Sequence, residues 1–404
     1  MQSMALDKMD RKFLVVIILT CIVAGSIQGL LLPLLSYLME VQGISSSLNG
    51  FNSSAIFIGI LCTSLMIERP VRRFGYKPVI LIGAAVILAT LVLYPLWTNL
   101  YFWFAVRLLT GAGVTALHYS AQQWIMADSP AHLRGRYISM YGMAYGAGFG
   151  IGPQGVNLLP FGLYTPFICA ALLLSLCIFF TFRIKNDWPT QETSAEASGS
   201  GRYWTTVRLG LLALIPICLY GFMESILTGS FTIFGAHAGM TPEWVAICLS
   251  VFLGSSLILQ IQLGMLGDKY GRKRVLITVM SIGGVLFMLV PFVVHLKFVL
   301  LALFAINGAL VGSISSLGIS YGVDLLPKHL LPTLGVMLAL CHGLASIAGP
   351  NVGGLAIQYI SPGAMFYILG GLFVGYVVIA AFYKPGSMTI GGELTKSENQ
   401  AREL

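Results

Sequence analysis

The chain has 404 residues, of which 57% are hydrophobic and only 9% are charged, and its mean hydropathy is +0.85. Soluble domains carry about 25% charged residues, so this composition excludes an ordinary soluble protein. The formal net charge of +8 would be compatible with nucleic-acid binding in a soluble chain, but in an apolar chain it predicts membrane topology instead.

Apolar stretches recur from one end of the chain to the other, and a membrane-spanning helix needs about 20 such residues. Turns placed at Gly, Pro and polar clusters predict an all-α integral membrane protein with twelve transmembrane helices. The first stretch is too long for a cleavable signal peptide and is predicted to be a true span. The predicted spans are 13–39, 50–68, 77–97, 99–128, 134–159, 163–184, 207–236, 242–263, 274–294, 297–325, 330–358 and 361–383.

A polar segment interrupts this pattern after the sixth span. It contains KNDWPTQETSAEASGSGRY and predicts a flexible cytoplasmic linker over 185–206. We therefore expect an N-terminal six-helix bundle over 1–184, a C-terminal six-helix bundle over 207–383 and a cytoplasmic tail over 384–404.

The two halves share landmarks at a nearly constant offset, which predicts a duplicated unit and pseudo-symmetric bundles. The offset is 196 for two of the matched pairs and 197 for the third. The pairs are Gly75 with Gly271, Asp128 with Asp324, and Pro153 with Pro350.

The positive charges lie mostly on one predicted side. If the helices alternate from a cytoplasmic N-terminus, every Lys and Arg falls on the cytoplasmic side except Lys297 and Arg107. This bias predicts that both termini are cytoplasmic, and the short loops favour a bacterial inner (cell) membrane. The seven cysteines all lie in predicted spans and are interpreted as small apolar packing residues.

Three motifs resemble those of the major facilitator superfamily. GMLGDKYGRKR at 264–274 is similar to the family signature G-x-x-x-D-[RK]-x-G-R-[RK], and RLLTGAG at 107–113 is similar to R-x-x-x-G-x-G. GFGIGPQG at 148–155 resembles the Gly-Pro motif of the drug/proton antiporter branch, and GPNVGG at 349–354 is its counterpart. The resemblance covers the whole chain and implies two bundles that rock about a midplane cavity.

The resemblance implies that the charged turn is a latch that joins the halves while the cavity faces outward. Asp268 is expected to pair with the start of the fifth span, where Arg134 and Arg136 lie, and Gly271 is expected to permit the tight turn. The first half departs from the signature, with Arg72 in the place of the acid, so Arg72 is expected to pair with Asp324 or Glu68. A topology signal alone is the alternative. The expected latch set is Gly264, Asp268, Gly271, Arg272, Arg134, Arg136, Arg72, Asp128 and Asp324.

The Gly-Pro motifs are expected to allow close helix approach and a bend. Their residues are Gly148, Gly152 and Pro153 in the first half, and Gly349 and Pro350 in the second.

Glu224 is the only acid near the middle of a predicted span, where a charged group is expensive and usually functional. Tyr220, Glu224 and Thr228 share one helix face, and the counterpart of Glu224 in the first half is Gln28. We expect Glu224 to carry a proton or to bind a cationic substrate. Structural pairing with a buried base is the alternative.

The resemblance also implies which helices surround the cavity, namely the first helix of each three-helix repeat. The expected cavity residues are Gln28, Arg107, Tyr119, Gln122, Tyr220, Glu224 and Asn307. Arg107 is expected either to tune a proton site or to fix helix packing. His118 and His342 are further candidates for proton coupling, with hydrogen-bonded packing as the alternative.

These observations together predict a monomeric secondary transporter that exports a small amphipathic or cationic molecule in exchange for protons. An importer or facilitator of a nutrient, an organic anion or a lipid-linked molecule is the alternative. The expected partners are the small-molecule substrate, protons and membrane lipids, but not nucleic acid. No Walker-type loop, hydrolase constellation or metal-ligand cluster can be read from the sequence, so neither an enzyme nor a cofactor is expected.

Overall fold

The computed structural model describes residues 11–130, 133–189 and 201–382, and these residues fold into helices. The first half contains α1 (Arg11–Val41), α2 (Ser46–Ser64), α3 (Glu68–Phe74), α4 (Tyr76–Leu93), α5 (Leu100–Asp128), α6 (Arg134–Ile151), a 3-10 helix (Gly152–Phe161) and α7 (Thr165–Phe182). The second half contains α8 (Gly201–His237), α9 (Pro242–Ser255), α10 (Gln260–Tyr270), α11 (Arg272–Val293), α12 (Lys297–Val311), α13 (Ile314–Leu325), a 3-10 turn (Lys328–Leu330), α14 (Leu331–Tyr359) and α15 (Ala364–Phe382).

The helices follow the predicted spans in order. Among the described residues, nine helical segments are long and apolar enough to cross a membrane, and the bent pairs α2–α3 and α9–α10 raise the number to eleven. The remaining predicted span, 134–159, corresponds to α6, which ends at Ile151, and to the 3-10 helix that begins at Gly152. The all-helical membrane architecture is confirmed, while the count of twelve stays a prediction.

The predicted linker and tail fall largely on residues that the structure does not describe. Residues 190–200 and 383–404 lie outside the described ranges. The helix α8 begins at Gly201, so its first six residues lie inside the range predicted for the linker.

Each half of the chain has its own apolar core. One core gathers buried side chains from α1 to α7, joined by Ala246, and the other gathers side chains from α8 to α15. We call the membrane side on which α7 ends at Phe182 the linker side, and the side on which α1 ends at Val41 the far side.

The halves meet closely on the far side. A Cβ atom added to Gly50 would lie 2.2 Å from the carbonyl oxygen of Pro350, and one added to Gly354 would lie 2.4 Å from that of Ser46. Ser36 Oγ donates to the Gly229 carbonyl over 3.1 Å, which joins α1 to α8. We call this contact zone the far-side seal.

The opposite edge of the far-side seal joins α6 and its 3-10 helix to α9. Gln154 Nε2 donates to Ser250 Oγ over 2.8 Å, and Gly150 approaches the backbone of Gly254. On the α2 side of the seal, His237 Nε2 lies 3.1 Å from Glu40 Oε1 and 3.2 Å from Ser46 Oγ, so an acid and a base from the two halves also meet. Because these contacts lie on the far side, the space between the halves opens towards the linker side.

The Gly-Pro motifs bring helices together within each half. A Cβ atom on Gly148 would lie 2.1 Å from the carbonyl oxygen of Ile22, and one on Gly349 would lie 2.1 Å from Ser225 Oγ. The motifs differ in their effect on the helix. The α-helix ends before Gly152 in the first half, whereas α14 continues through Pro350 in the second.

The far-side seal predicts the effect of adding a single methyl group. Gly50→Ala places a Cβ atom against the backbone of Pro350, and overpacking of this kind costs about 1–3 kcal/mol. We expect a midpoint of thermal unfolding in detergent that is several degrees lower. Gly371→Ala is the matched control, because a Cβ atom on this α15 glycine meets open space. Equal midpoints for the two variants would contradict the role of Gly50.

Candidate functional site

A cavity of about 690 Å³ lies between the two halves. Its walls come from α6, α8, α9, α10 and α13, from the residues between α9 and α10, from Arg272 at the start of α11 and from Gly312 after α12. Tyr145, Phe149, Tyr220 and Glu224 line its deep end, while Asp268 and Arg272 line its mouth on the linker side. The cavity therefore leads from the linker side to the acid that the sequence placed inside a span.

Glu224 is paired with a histidine from another helix. Its Oε2 lies 3.4 Å from Nε2 of His342 on α14, and the two side chains are 24% and 37% exposed. The ring of Tyr220 lies 6.1 Å from the His342 ring. The Ser346 hydroxyl contacts the backbone carbonyls of His342 and Gly221, which fixes α14 against α8 at this level. An acid and a base thus share a partly exposed, rigidly supported position.

The first half holds a neutral version of this pair. Tyr145 OH donates to Gln28 Oε1 over 2.7 Å, which joins α6 to α1. Gln28 and Glu224 are 196 positions apart, and Tyr145 and His342 are 197 apart, the offset that separates Pro153 from Pro350. The repeated unit therefore carries a hydrogen-bonded pair twice, once as amide and phenol and once as carboxylate and imidazole.

Tyr145 is a cavity residue that the sequence analysis missed. An uncharged tyrosine in a glycine-rich helix gives no signal by itself, but the repeat offset from His342 would have identified it. Its ring lies edge-on to the ring of His118 at 4.0 Å. His118 also contacts the hydroxyl of Tyr141, and its Nε2 atom is buried without a hydrogen-bond partner among the described residues. His118 thus lies behind Tyr145 rather than in the cavity lining.

Arg107 lies in the far-side seal and not in the cavity lining. Its side chain is 1% exposed, and one terminal nitrogen donates to Ser53 Oγ over 2.6 Å. Nε and the second terminal nitrogen have no hydrogen-bond partner among the described residues. Ser53 Oγ lies 3.1 Å from Ser36 Oγ, which continues to the Gly229 carbonyl of the other half. Arg107 is therefore linked to the contact between the halves.

Three other predicted cavity residues also lie outside the lining. Asn307 is 1% exposed and donates to the Gly283 carbonyl over 3.4 Å, so it joins α12 to α11. Tyr119 is half-buried beside the core of the first half, and Gln122 is exposed on the linker-side part of α5. Of the predicted set, the structure brings Tyr220 and Glu224 together in the cavity lining, with Gln28 behind Tyr145.

The charged turn forms a cluster within the second half. Arg272 lies 3.0 Å from Asp268 on α10 and 2.8 Å from Asp324 on α13, and it also donates to the Ser320 carbonyl. Gly271 has a φ of +91°, a backbone conformation that favours glycine. Arg272 therefore ties three helices at the mouth of the cavity.

The expected pairing across the halves is not formed in this conformation. Arg134 and Arg136 are exposed at the start of α6, and within the described part of the chain neither forms an ion pair with Asp268. Arg72 lies 2.5 Å from Glu68, one of its two expected partners. Asp128 lines a second cavity on the linker side, between the ends of α1, α5 and α7, and Gly264 lies in the wall of the first.

The chain matches known families along its length. The sequence profile of the Major Facilitator Superfamily matches residues 16–252 and 212–400. The uncharacterised MFS-type transporter YfkF of Bacillus subtilis (strain 168) is 35% identical over 365 residues, which cover 89% of this chain and 93% of that protein. The MFS-type transporter YcaD of Salmonella enteritidis PT4 is 22% identical over 82% of this chain and 85% of that protein.

Solved structures share the fold. The nucleoside transporter NupG superposes with a TM-score of 0.73 at 17% identity, and the match covers 92% of this chain and 99% of that one. A point mutant of NupG superposes with a TM-score of 0.74 at 15% identity. The chain therefore belongs to the major facilitator superfamily and is a multi-pass membrane transporter, not an enzyme.

Proposed function

We propose that the chain is a proton-coupled antiporter that exports a small amphipathic or cationic molecule. One observation carries this proposal, namely that Glu224 meets His342 at the deep end of a cavity shared by both halves. A carboxylate flanked by Tyr220 and Tyr145 offers a cation both a counter-charge and aromatic faces. A proton on Glu224 removes that counter-charge. The proton and a cationic substrate therefore compete for one site, which is the physical requirement for exchange.

The difference between the two halves supports this assignment. Gln28 and Tyr145 meet as two uncharged hydrogen-bonding groups, whereas Glu224 and His342 meet as an acid and a base. In this proposal the second half therefore carries the exchanged proton, and the first half binds the substrate through uncharged hydrogen-bonding groups. Arg107 and His118 have no coupling role in this proposal, because Arg107 bonds Ser53 in the far-side seal and His118 lies against Tyr141 and Tyr145 rather than Glu224.

A nutrient importer or facilitator is the second candidate. It is favoured by the fold shared with NupG, which is a nucleoside transporter, and by the hydrogen-bonding pair of Gln28 and Tyr145. An organic-anion substrate has less support, because Arg107 is enclosed in the far-side seal. A lipid-linked substrate remains a variant of this second candidate.

The membrane orientation belongs to the same proposal. Lys and Arg side chains concentrate on the linker side, which we assign to the cytoplasm of a bacterial cell. The cavity then faces inward, as an exporter requires for loading. A monomer of two six-helix bundles joined by the linker suffices for this cycle, in contact with membrane lipids.

The latch operates in the opposite conformation of this cycle. When the linker-side ends of the bundles approach each other, Asp268 at the cavity mouth meets Arg134 at the start of α6. Arg272 then holds α10, α11 and α13 together as one unit. The far-side seal opens in the same motion, and Arg107 becomes exposed.

Glu224 provides the first test of the proposal. In everted vesicles with an imposed pH gradient, we expect an added lipophilic cation to release protons from the wild type and at least 10-fold more slowly from Glu224→Gln, because the amide cannot exchange a proton. The measurement is a pH-sensitive dye, with neutral drugs, nucleosides and organic anions as parallel substrates. Glu243→Gln is the matched control, since Glu243 is exposed at the start of α9. Unchanged proton release from Glu224→Gln would contradict the coupling role, and release by a nucleoside alone would favour the second candidate.

A substitution at Tyr145 tests substrate binding by uncharged groups separately from proton coupling. Tyr145→Phe removes the hydroxyl that donates to Gln28, and a neutral hydrogen bond contributes about 0.5–1.5 kcal/mol. We expect the KM for the substrate to rise about 2- to 10-fold while the maximal proton flux stays within 2-fold. Tyr137→Phe on the same helix is the control, because Tyr137 is outside the cavity lining. A loss of flux without a change of KM would assign Tyr145 to the coupling pair instead.

A test of the pairing between Asp268 and Arg134 requires a double-mutant cycle, because Asp268 also pairs with Arg272. Because α6 has no cysteine, the reporter is Gly142→Cys, and we expect Asp268→Asn and Arg134→Gln each to increase labelling of this cysteine by a hydrophilic maleimide. The double variant should add little to either single change. Arg136→Gln serves as the comparison that separates the two neighbouring arginines. Fully additive effects of Asp268→Asn and Arg134→Gln would rule out their pairing.

A further inference from the structure

Among the described residues, the far-side seal contains one contact between two ionisable groups. His237 is the last residue of α8, and Glu40 lies one residue before the end of α1, so the contact is at the far-side surface. His237 Nε2 lies 3.1 Å from Glu40 Oε1 and 3.2 Å from Ser46 Oγ at the start of α2. The other hydrogen bonds between the halves, within the described ranges, join uncharged groups. They are Ser36 with Gly229, Ser47 with Gln358, and Gln154 with Ser250.

Glu40 depends on His237 for compensation of its charge. The Glu40 side chain is 18% exposed, and its Oε2 is buried with no hydrogen-bond partner among the described residues. Asn49 lies beside it, but Asn49 Nδ2 donates to the Ser36 carbonyl over 2.8 Å. The carboxylate also lies at the C-terminal end of α1, where the helix dipole disfavours an anion. In the closed seal the Glu40 carboxylate therefore needs a cation, and His237 is the base that reaches it.

His237 can supply this cation, because its side chain is 41% exposed and water on the far side can reach the ring. Histidine is the side chain that ordinarily changes charge between about pH 5 and 8. The C-terminal end of α8 favours a positive ring in every conformation, since it belongs to the same helix. Glu40 belongs to the other half, so it favours a positive ring only while the seal is closed. The difference between the closed and open states therefore comes from Glu40.

The neighbouring helices bring few other charges to this contact. The helix α2 contains no Asp, Glu, Lys, Arg or His. Glu243 is exposed at the start of α9 and forms no ion pair with His237 among the described residues. His295 and Lys297 belong to the turn between α11 and α12, and Lys297 lies over the ring of Trp244. The remaining ionisable groups near the far-side helix ends are phenols, which are uncharged at neutral pH. They are Tyr37 on α1, Tyr94 after α4, Tyr101 on α5, Tyr359 on α14 and Tyr367 on α15.

We infer that Glu40 and His237 form a proton-binding site on the far side, and that a proton bound there stabilises the closed seal. The proton enters the imidazole from the far side, and Glu40 balances its charge across the halves. When the ends of α1 and α8 separate, this balance is lost, so the open state binds the proton more weakly. By linkage, a falling pH shifts the equilibrium towards the closed seal. The effect begins as the imidazole becomes protonated and ends at a lower pH, where Glu40 itself becomes neutral.

This site goes beyond the proposed function, because it acts on the seal whichever molecule the cavity carries. It is separate from the pair of Glu224 and His342, which lies at the deep end of the cavity that opens towards the linker side. In an exporter driven by external protons, the same acid that loads Glu224 also helps to close the seal behind it. In a facilitator, the site makes opening towards the far side depend on external pH.

Labelling of a buried cysteine measures the opening of the seal. Ser36 is fully buried where the halves meet, so Ser36→Cys is the reporter. Thr98→Cys, at an exposed far-side position, is the reference for the effect of pH on thiol reactivity. The full-length chain in detergent is treated with a hydrophilic maleimide at pH 8 and pH 6, and the seven native cysteines give the background. We expect the reporter rate, divided by the reference rate, to be at least about 5-fold lower at pH 6 than at pH 8.

Three substitutions in the reporter chain assign this pH response. His237→Gln and Glu40→Gln each keep a hydrogen-bonding group without its charge, so either should reduce the response to less than about 2-fold. Glu243→Gln is the matched control, because it removes an exposed far-side acid outside the pair and should keep the full response. Equal rates for the reporter chain at the two pH values, or an unchanged response in His237→Gln, would overturn the inference. So would a response that only Glu243→Gln abolishes.

Thermal unfolding in detergent checks the pair itself. At pH 6 we expect the double variant Glu40→Gln/His237→Gln to unfold at nearly the same midpoint as either single variant, because each single change already breaks the charged pair. At pH 8 this coupling should be smaller. Additive changes at pH 6 would contradict a proton site. Neither measurement uses a substrate or a proton gradient, so the proton-release assay of Glu224→Gln decides the proposed function separately.

Discussion

A carboxylate inside a membrane protein survives only where a partner or a water-accessible cavity replaces the hydration that it loses. Glu224 has both, because His342 lies 3.4 Å away and the cavity reaches it from the linker side. The surrounding helices supply this arrangement. The Ser346 hydroxyl ties α14 to α8 at the same level, and the far-side seal closes the other end. If the seal were permanent, the acid would remain accessible from one side only, so the seal must be able to open.

The far-side seal is built from small residues, and this choice explains why it can be both tight and reversible. Gly50, Gly229 and Gly354 let backbones touch, and the few hydrogen bonds across the halves come from serine, glutamine and a Glu–His pair. Such contacts gain packing energy without interlocking large side chains, so the two surfaces can separate without repacking a core. Each half keeps its own apolar core through that motion.

Several features were readable from sequence because they depend on composition or repetition. Helical membrane architecture follows from apolar length, and Glu224 stands out because a mid-span acid is rare. The sequence did not show whether the side chains of Arg107 and Asn307 face the cavity or a neighbouring helix. The helical period shows which residues share one face of a helix, but it does not show which neighbouring helix packs against that face. Arg107 lies against α2 because Gly111 lets α5 approach the Ile56 carbonyl closely. This contact directs the Arg107 guanidinium towards Ser53 in the far-side seal.

The duplicated unit shows how asymmetry can arise on a symmetric frame. The same two positions hold Gln28 with Tyr145 in one half and Glu224 with His342 in the other, so of these two pairs only the one in the second half consists of an acid and a base. The same half carries the Arg272 cluster, which joins α10, α11 and α13. In the first half, Arg72 lies against Glu68 instead. Because the acid–base pair and the charge cluster lie in one bundle, the proposed protonation of Glu224 changes the charge of the same bundle that carries Asp268 and Arg272 at the cavity mouth. The other bundle can then serve as the comparatively constant surface against which it moves.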